Sequence, residues 1–269
     1  MIYVLALVIA LLGWWISTGV ILFLNHLPVS TYRWSIFLAT VFLLVALITL
    51  PTFANNVSYL FVLISFFQGL LIWGWLEMTY LMGFLTGPRK EECPKEIEGW
   101  SRFWLALKTS LYHELAVICF GLFLIYLTFD KPNSVAGYTY VTLWGMRWSA
   151  KLNLFLGVLN YNSDWLPSGL AYIKSYIRIR RMNFIFPLSV CCGLLAAIFF
   201  FSLSQVGELD ASSLGYLIVG CLILLAILEH CFLMFPLKDA ALWNWAIGAS
   251  SKIKDAQKRS TSADKMEGL

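Results

Sequence analysis

The chain has 269 residues, of which 60% are apolar and only 13% charged, with a mean hydropathy of +0.76 and a formal net charge of +4. A soluble domain is about 45–50% apolar and about 25% charged, so a chain of this composition cannot keep its surface wet and must take lipid as its main solvent. The basic surplus sits in short segments between apolar runs and in the tail; that pattern is a topology signal and excludes a nucleic-acid partner.

Seven apolar runs follow one another, each long enough to cross a hydrocarbon core of about 30 Å. The first, residues 2–24, has no basic leader and no small-residue cleavage site, and reads as a retained span. Asn25-His26-Leu27-Pro28 separates it from the second, residues 33–50. Pro51 to Asn56 then leads into the third, residues 58–85. A charged stretch from Gly87-Pro88 to Pro94 precedes the fourth, residues 104–129, and Lys131-Pro132-Asn133 precedes the fifth, residues 135–159. After Pro167-Ser168-Gly169 comes a basic segment, 171–182, expected as an interfacial helix with Tyr172, Ile173, Tyr176 and Ile177 toward the membrane. The sixth and seventh runs are residues 184–203 and 213–235, the last closed by Pro236. Pro and Asn end helices by removing a backbone donor or by competing for one. Trp34, Trp100, Trp104, Trp165, Trp243 and Trp245 lie near run ends, as an interfacial belt requires.

Seven crossings place every basic segment on one side. Arg33 ends the first connection; the third-to-fourth connection holds Arg89, Lys90, Lys95 and Arg102. The fifth-to-sixth holds Lys174, Arg178, Arg180 and Arg181, and the tail holds Lys238, Lys252, Lys254, Lys258, Arg259 and Lys265. The opposite side has Lys131 alone, with Glu208 and Asp210. Basic loops face the cytoplasm. The expected fold is therefore an all-α, polytopic bundle of about seven transmembrane helices, with the N-terminus outside and the C-terminus cytoplasmic. Residues 1–248 form one transmembrane domain, and residues 249–269 form a basic, disordered cytoplasmic tail. The cysteines, Cys93, Cys119, Cys191, Cys192, Cys221 and Cys231, have no zinc-ribbon spacing and read as small core residues.

Ionisable residues inside spans cost about 2.5–3.5 kcal/mol each on insertion scales and are functional candidates by default. Here they are Glu77, His113, Glu114, Arg147, Lys151, Glu229 and His230. At 1.5 Å per residue all fall roughly 9–18 Å from the inner span ends, so four helices carry them to one level. Imidazole nitrogen and carboxylate oxygen suit iron, zinc or manganese, which makes Glu77, His113, Glu114, Glu229 and His230 a candidate metal set. Adjacent residues on a helix diverge by about 100°, so one ligand from each neighbouring pair is the realistic contribution. Arg147 and Lys151, four apart on one face, are supporting charges that would neutralise the carboxylates of neighbouring spans. Three readings stand: an ion-pair network, a metal site, and a contact for a tetrapyrrole or other cofactor. Asn153, Asn160 and Gln68 read as interhelical hydrogen-bonding groups and His26 as a solvated loop residue. His113-Glu114 is followed by Leu115, Ala116 and Val117, so the zincin pattern fails.

Five stretches resemble one family: residues 13–19 (GWWISTG), 84–89 (FLTGPR), 112–114 (YHE), 151–158 (KLNLFLGV) and 228–230 (LEH). They are similar to the photosynthetic complex assembly proteins of purple bacteria, the PuhE type, over nearly the whole chain. That resemblance implies a multi-pass protein of the bacterial inner (intracytoplasmic) membrane, encoded near the reaction-centre H subunit. It further implies a role in assembling the reaction centre and light-harvesting complex or in bacteriochlorophyll supply. The implied partners, besides the lipid bilayer, are reaction-centre or light-harvesting subunits and bacteriochlorophyll intermediates. It implies no catalytic residues. A membrane metal-dependent enzyme acting on a tetrapyrrole or other lipophilic substrate is the alternative.

Overall fold

The structure is a computed structural model, and it describes residues 1–161, 166–205, 210–235 and 239–254, with Ser168, Asp239 and Ala240 described by their backbone alone. Trp165, Glu208, Pro236, Lys238, Lys258, Arg259 and Lys265 lie outside the described residues, as does the expected tail from residue 255 onward. The described part of that tail, 249–254, continues a helix that begins at residue 244.

The described residues form helices α1 (Ile2–His26), α2 (Tyr32–Ala54), α3 (Tyr59–Leu81), α4 (Gly99–Lys108), α5 (Leu111–Thr128), α6 (Val135–Leu156), α7 (Ile185–Leu203) and α8 (Ala211–Met234). Among the described residues the only β-pairing is one parallel bridge, Val158 with Ile179. Six helices (α1, α2, α3, α5, α7 and α8) are long and apolar enough to cross a membrane. The molecule is a helical membrane bundle. α6 has the length but not the apolarity, because Arg147, Lys151, Asn153 and a run of Tyr, Thr and Ser interrupt it.

α8 is the axis of the bundle. Most of its residues are buried, with Leu224 and Leu228 exposed, and it packs on α1, α3, α6 and α7. Around it one apolar core joins Trp14, Phe66, Leu217, Ile218 and Trp243; a second, between α2, α3, α5 and α6, joins Leu50, Ile72, Leu76, Leu124 and Tyr140. The outward faces of α1, α2 and α7 remain apolar (Val8, Phe37, Ile48, Leu195), which is what lipid contact asks of a helix that is hydrophobic all round. Interhelical polar bonds fix the register: Gln68 donates to Ala46 O and Thr49 Oγ1, and Trp75 to Thr40 Oγ1.

Several boundaries differ from the sequence reading. Pro51 lies inside α2, which runs on to Ala54, and Asn55 closes it by donating to Pro51 O. His26 belongs to the last turn of α1, where its Nδ1 donates to Leu22 O. The fourth run is broken in two at Thr109 and Ser110. Gly87 packs against the break: a Cβ there would stand 2.0 Å from Lys108 O, so only glycine lets the preceding loop press into the gap. Residues 171–182 are not the amphipathic helix expected there; the short amphipathic helix is α4, with Trp100 and Trp104 exposed and Arg102 buried. Those residues form a 3-10 turn, Ser168–Tyr176, and an extended strip. Tyr176 is buried, because Arg89 Nε donates to its hydroxyl and Arg102 Nη2 to its carbonyl. Cys119, Cys191 and Cys192 face outward, not into the core, and the six cysteines are free. Trp243 leaves the expected belt to stack edge-on against Trp14.

Candidate functional site

α3 ends in a loop that folds back over the start of α5. Phe84 and Leu85 donate backbone N–H groups to Thr79 O, and His113 N donates to Thr86 O. This places Glu77 and Tyr80 of α3 beside the first turn of α5, with His113 and Glu114. α6 crosses the same level with Arg147 and Lys151 one turn apart.

Charges meet in pairs. Arg147 Nη2 lies 3.2 Å from Glu77 Oε2. Lys151 Nζ donates to Glu114 Oε1, which also accepts from Ser110 Oγ at 3.2 Å. Glu114 sits in the first turn of α5, where the helix dipole favours an anion. Lys151 Nζ also stands 5.2 Å from the Tyr80 ring centre, and the His113 ring stacks on that ring at 4.6 Å. The carboxylates lie deeper than the cations: the side chains of Glu77 and Glu114 keep 10% and 6% of their surface, those of Arg147 and Lys151 35% and 25%. Glu77 Oε1, His113 Nδ1 and Arg147 Nε are buried without a hydrogen-bond partner among the described residues. The Tyr172 hydroxyl, from the 3-10 turn, is also buried without a hydrogen-bond partner among the described residues, and burial pushes its phenol up.

The α8 pair divides. Glu229 Oε1 accepts from Trp14 Nε1 at 2.7 Å and interacts electrostatically with Arg147, so it joins the edge of the cluster. His230 turns the other way. Its Nδ1–H donates to Ala226 O at 2.8 Å, and Nε2 lies 2.9 Å from Ser149 Oγ, which lies 2.7 Å from Ser189 Oγ. Asn153 Nδ2 donates to Ser189 Oγ, whereas Asn160 lies beyond α6 and donates to Phe232 O.

Of the seven residues singled out, Glu77, Glu114, Arg147 and Lys151 are directly paired, His113 and Glu229 are adjacent, and His230 belongs to a separate network. His113 and Glu114 also sit at a helix start rather than two turns inside a span, because the fourth run breaks at Ser110. The expected metal set is only partly gathered. Each central carboxylate already faces a cation that would repel a metal ion, and no three His, Cys, Asp or Glu side chains converge as ligands among the described residues. Sequence reasoning missed Tyr80, Trp14, Tyr172, Ser149 and Ser189. Tyr80 was within reach, three residues from Glu77 on the same helix face; Tyr172 and Ser189 come from elsewhere in the chain and had no local signal.

Fold and site define a multi-pass helical membrane protein in which two buried carboxylates, Glu77 and Glu114, pair with Arg147 and Lys151 between helices. Residues 1–254 match the family described as Protein of unknown function (DUF3623), and the chain belongs to that family. It is similar to the "Uncharacterized 30.4 kDa protein in puhA 5'region" of Rhodobacter capsulatus, with 32% identity over 238 residues, 87% of either chain. No solved structure matches.

Proposed function

We propose that the protein is a membrane-embedded auxiliary factor of the PuhE type. It serves assembly of the bacterial photosynthetic reaction centre and light-harvesting complex, or their bacteriochlorophyll supply, in the inner (intracytoplasmic) membrane. The observation that carries this reading is the relative in the puhA 5' region of a purple bacterium, similar along 87% of the chain. The pairing of Glu77 with Arg147 and of Glu114 with Lys151 gives the cluster a role in holding α3, α5 and α6 together, and it speaks against the metal-dependent alternative.

In this reading α6 is a seventh span, with the N-terminus outside and the C-terminus cytoplasmic. In support, the end of α3, the start of α5 and the segment after α6 lie together: Arg89 and Arg102 bond Tyr176, and Arg178 N donates to Leu154 O. α5 leaves that side and α6 returns to it. The two basic connections thus share one face, as the positive-inside rule asks.

Replacing His113 and, separately, Glu229 by Ala in a photosynthetic host tests the function. Normal pigment intermediates with diminished reaction-centre and light-harvesting absorbance support assembly. Accumulation of one discrete pigment intermediate points to an enzyme. Unchanged pigments and complexes, with normal insertion, remove the cluster from the function.

A further inference from the structure

Arg102, in the short helix α4, is a buried cation with no acid paired to it among the described residues. It is 6% exposed. Its Nη2 donates to a neutral group, the Tyr176 carbonyl, at 2.6 Å, and its Nη1 is buried without a hydrogen-bond partner among the described residues. The guanidinium carbon stands over the Phe155 ring, 5.0 Å from its centre. Arg147 and Lys151, whose side chains keep 35% and 25% of their surface, each face a carboxylate; the more deeply buried Arg102 does not.

The surroundings add charge of the same sign. Tyr176, held at its carbonyl by Arg102, accepts at its hydroxyl from Arg89 Nε at 2.7 Å. Two residues on, the half-buried Arg178 donates its backbone N–H to Leu154 O, next to the Phe155 that Arg102 covers. Burial, and then Arg178, hold the Arg102 guanidinium below its ordinary value; Cys93 and Glu98 act on it less. Of these three arginines only Arg89 meets a carboxylate, that of Glu91, whose side chain is 75% exposed. The strip 168–183 brings Lys174, Arg178, Arg180 and Arg181 and no acid. A buried charge is costly until an opposite charge with matching hydrogen bonds meets it, and the guanidinium fork matches an oxyanion. Position selects phosphate among oxyanions. α4 leads directly into α5, a helix fit to span the membrane, and Trp100 and Trp104 on its outer face are 76% and 55% exposed, as indoles at headgroup depth are. We propose that Arg102 and Arg178, with Arg89 beside them, bind one phosphate group between α4 and the strip 168–183, carried by an anionic phospholipid or free in solution. The site is independent of the assembly reading.

The full-length protein, delipidated in a nonionic detergent, is titrated with dioleoylphosphatidylglycerol and with dioleoylglycerol, which has the same chains but no phosphate, and adducts are counted by native mass spectrometry. A parallel series adds inorganic phosphate and reads the thermal midpoint. The phospholipid is expected to bind at least about tenfold more tightly than the diacylglycerol, equal to about 1.4 kcal/mol. An adduct that inorganic phosphate does not displace assigns a headgroup; a midpoint that rises with phosphate, without a phospholipid preference, assigns a free phosphate. Arg178→Gln should weaken whichever binding is found at least about fivefold while keeping the ligand-free midpoint, and Arg102→Gln should abolish it. Arg181→Gln removes the same charge from an exposed position on the same strip and should change the affinity less than about twofold. If Arg102→Gln does not fold, the comparison of Arg178→Gln with Arg181→Gln decides. The absence of both phospholipid preference and phosphate stabilisation overturns the proposal. Equal losses in Arg178→Gln and Arg181→Gln overturn it too, because the binding is then the general field of a basic strip.

Discussion

Removing Arg147 while leaving Glu77 is the sharpest perturbation of the cluster. Taking one partner from a buried ion pair costs about 3–5 kcal/mol, because the other charge stays in a low dielectric with nothing to offset it. Glu77 is 8% exposed and one of its oxygens is already without a partner, so its carboxylate has little recourse to solvent. The Arg147 side chain keeps 35% of its surface open, and screening there places the loss at the low end, about 3 kcal/mol. Arg147→Met should therefore destabilise by about 3 kcal/mol, and Glu77→Gln by a similar amount. The double variant should lie within about 1 kcal/mol of wild type, since removing both charges also removes the desolvation penalty. Reversible unfolding in mixed micelles, or steric trapping in bicelles, gives the three free energies and a coupling of at least about 2 kcal/mol. If the two single losses simply add in the double variant, the pair is uncoupled and the account of the cluster is wrong.

Lys151→Met should cost about half as much as Arg147→Met in the same assay, because Glu114 keeps the Ser110 hydroxyl and the N-terminal dipole of α5. Gly87→Ala forces a Cβ onto the Lys108 carbonyl and should cost about 3 kcal/mol by overpacking. It also frees the loop, so Cys93, whose N–H donates to Ser175 Oγ, should be alkylated faster. Asp210→Ala removes the N-cap of α8 and should cost about 1 kcal/mol, whereas Asp210→Asn should cost little. The Ser213 N–H holds the Asp210 carboxyl below its ordinary 3.8. Its contribution is thus complete above that value and is lost as pH falls through the lower, folded one. The gap between wild type and Asp210→Ala, measured by unfolding from neutral pH downward, should close at the acid end.

Membrane residence and the place of most helices were legible because six of the described helices are apolar over whole turns, with polar residues between them. The charged residues were legible for the same reason, by contrast with their neighbours. Breaks of tertiary origin were not. Where α4 separates from α5, the polar stretch Lys108-Thr109-Ser110 gave a local sign, but the loop that Gly87 lets press on Lys108 gave none. Pro51 was over-read, since a proline near the end of a helix leaves most of its bonds intact. Within the site, depth along the helices brought Glu77 and Arg147 to one level; azimuth decided that His230 turns to Ser149 instead. Azimuth depends on neighbours, so residue type and depth alone do not tell that His230 faces away from Glu77 and Glu114.

α6 also bears on how the bundle is made. By its own sequence it is a poor candidate for entering a bilayer, since Arg147 and Lys151 oppose its partition. Their counter-ions, Glu77 and Glu114, belong to α3 and α5, which leave the ribosome first. In the seven-span reading proposed above, the acids are in place before the bases arrive, and α6 inserts against a surface already charged to receive it. The order of the chain thus serves as an order of assembly: a truncation ending after α6 should still integrate that helix, whereas α6 fused to an unrelated leader should be left outside the membrane.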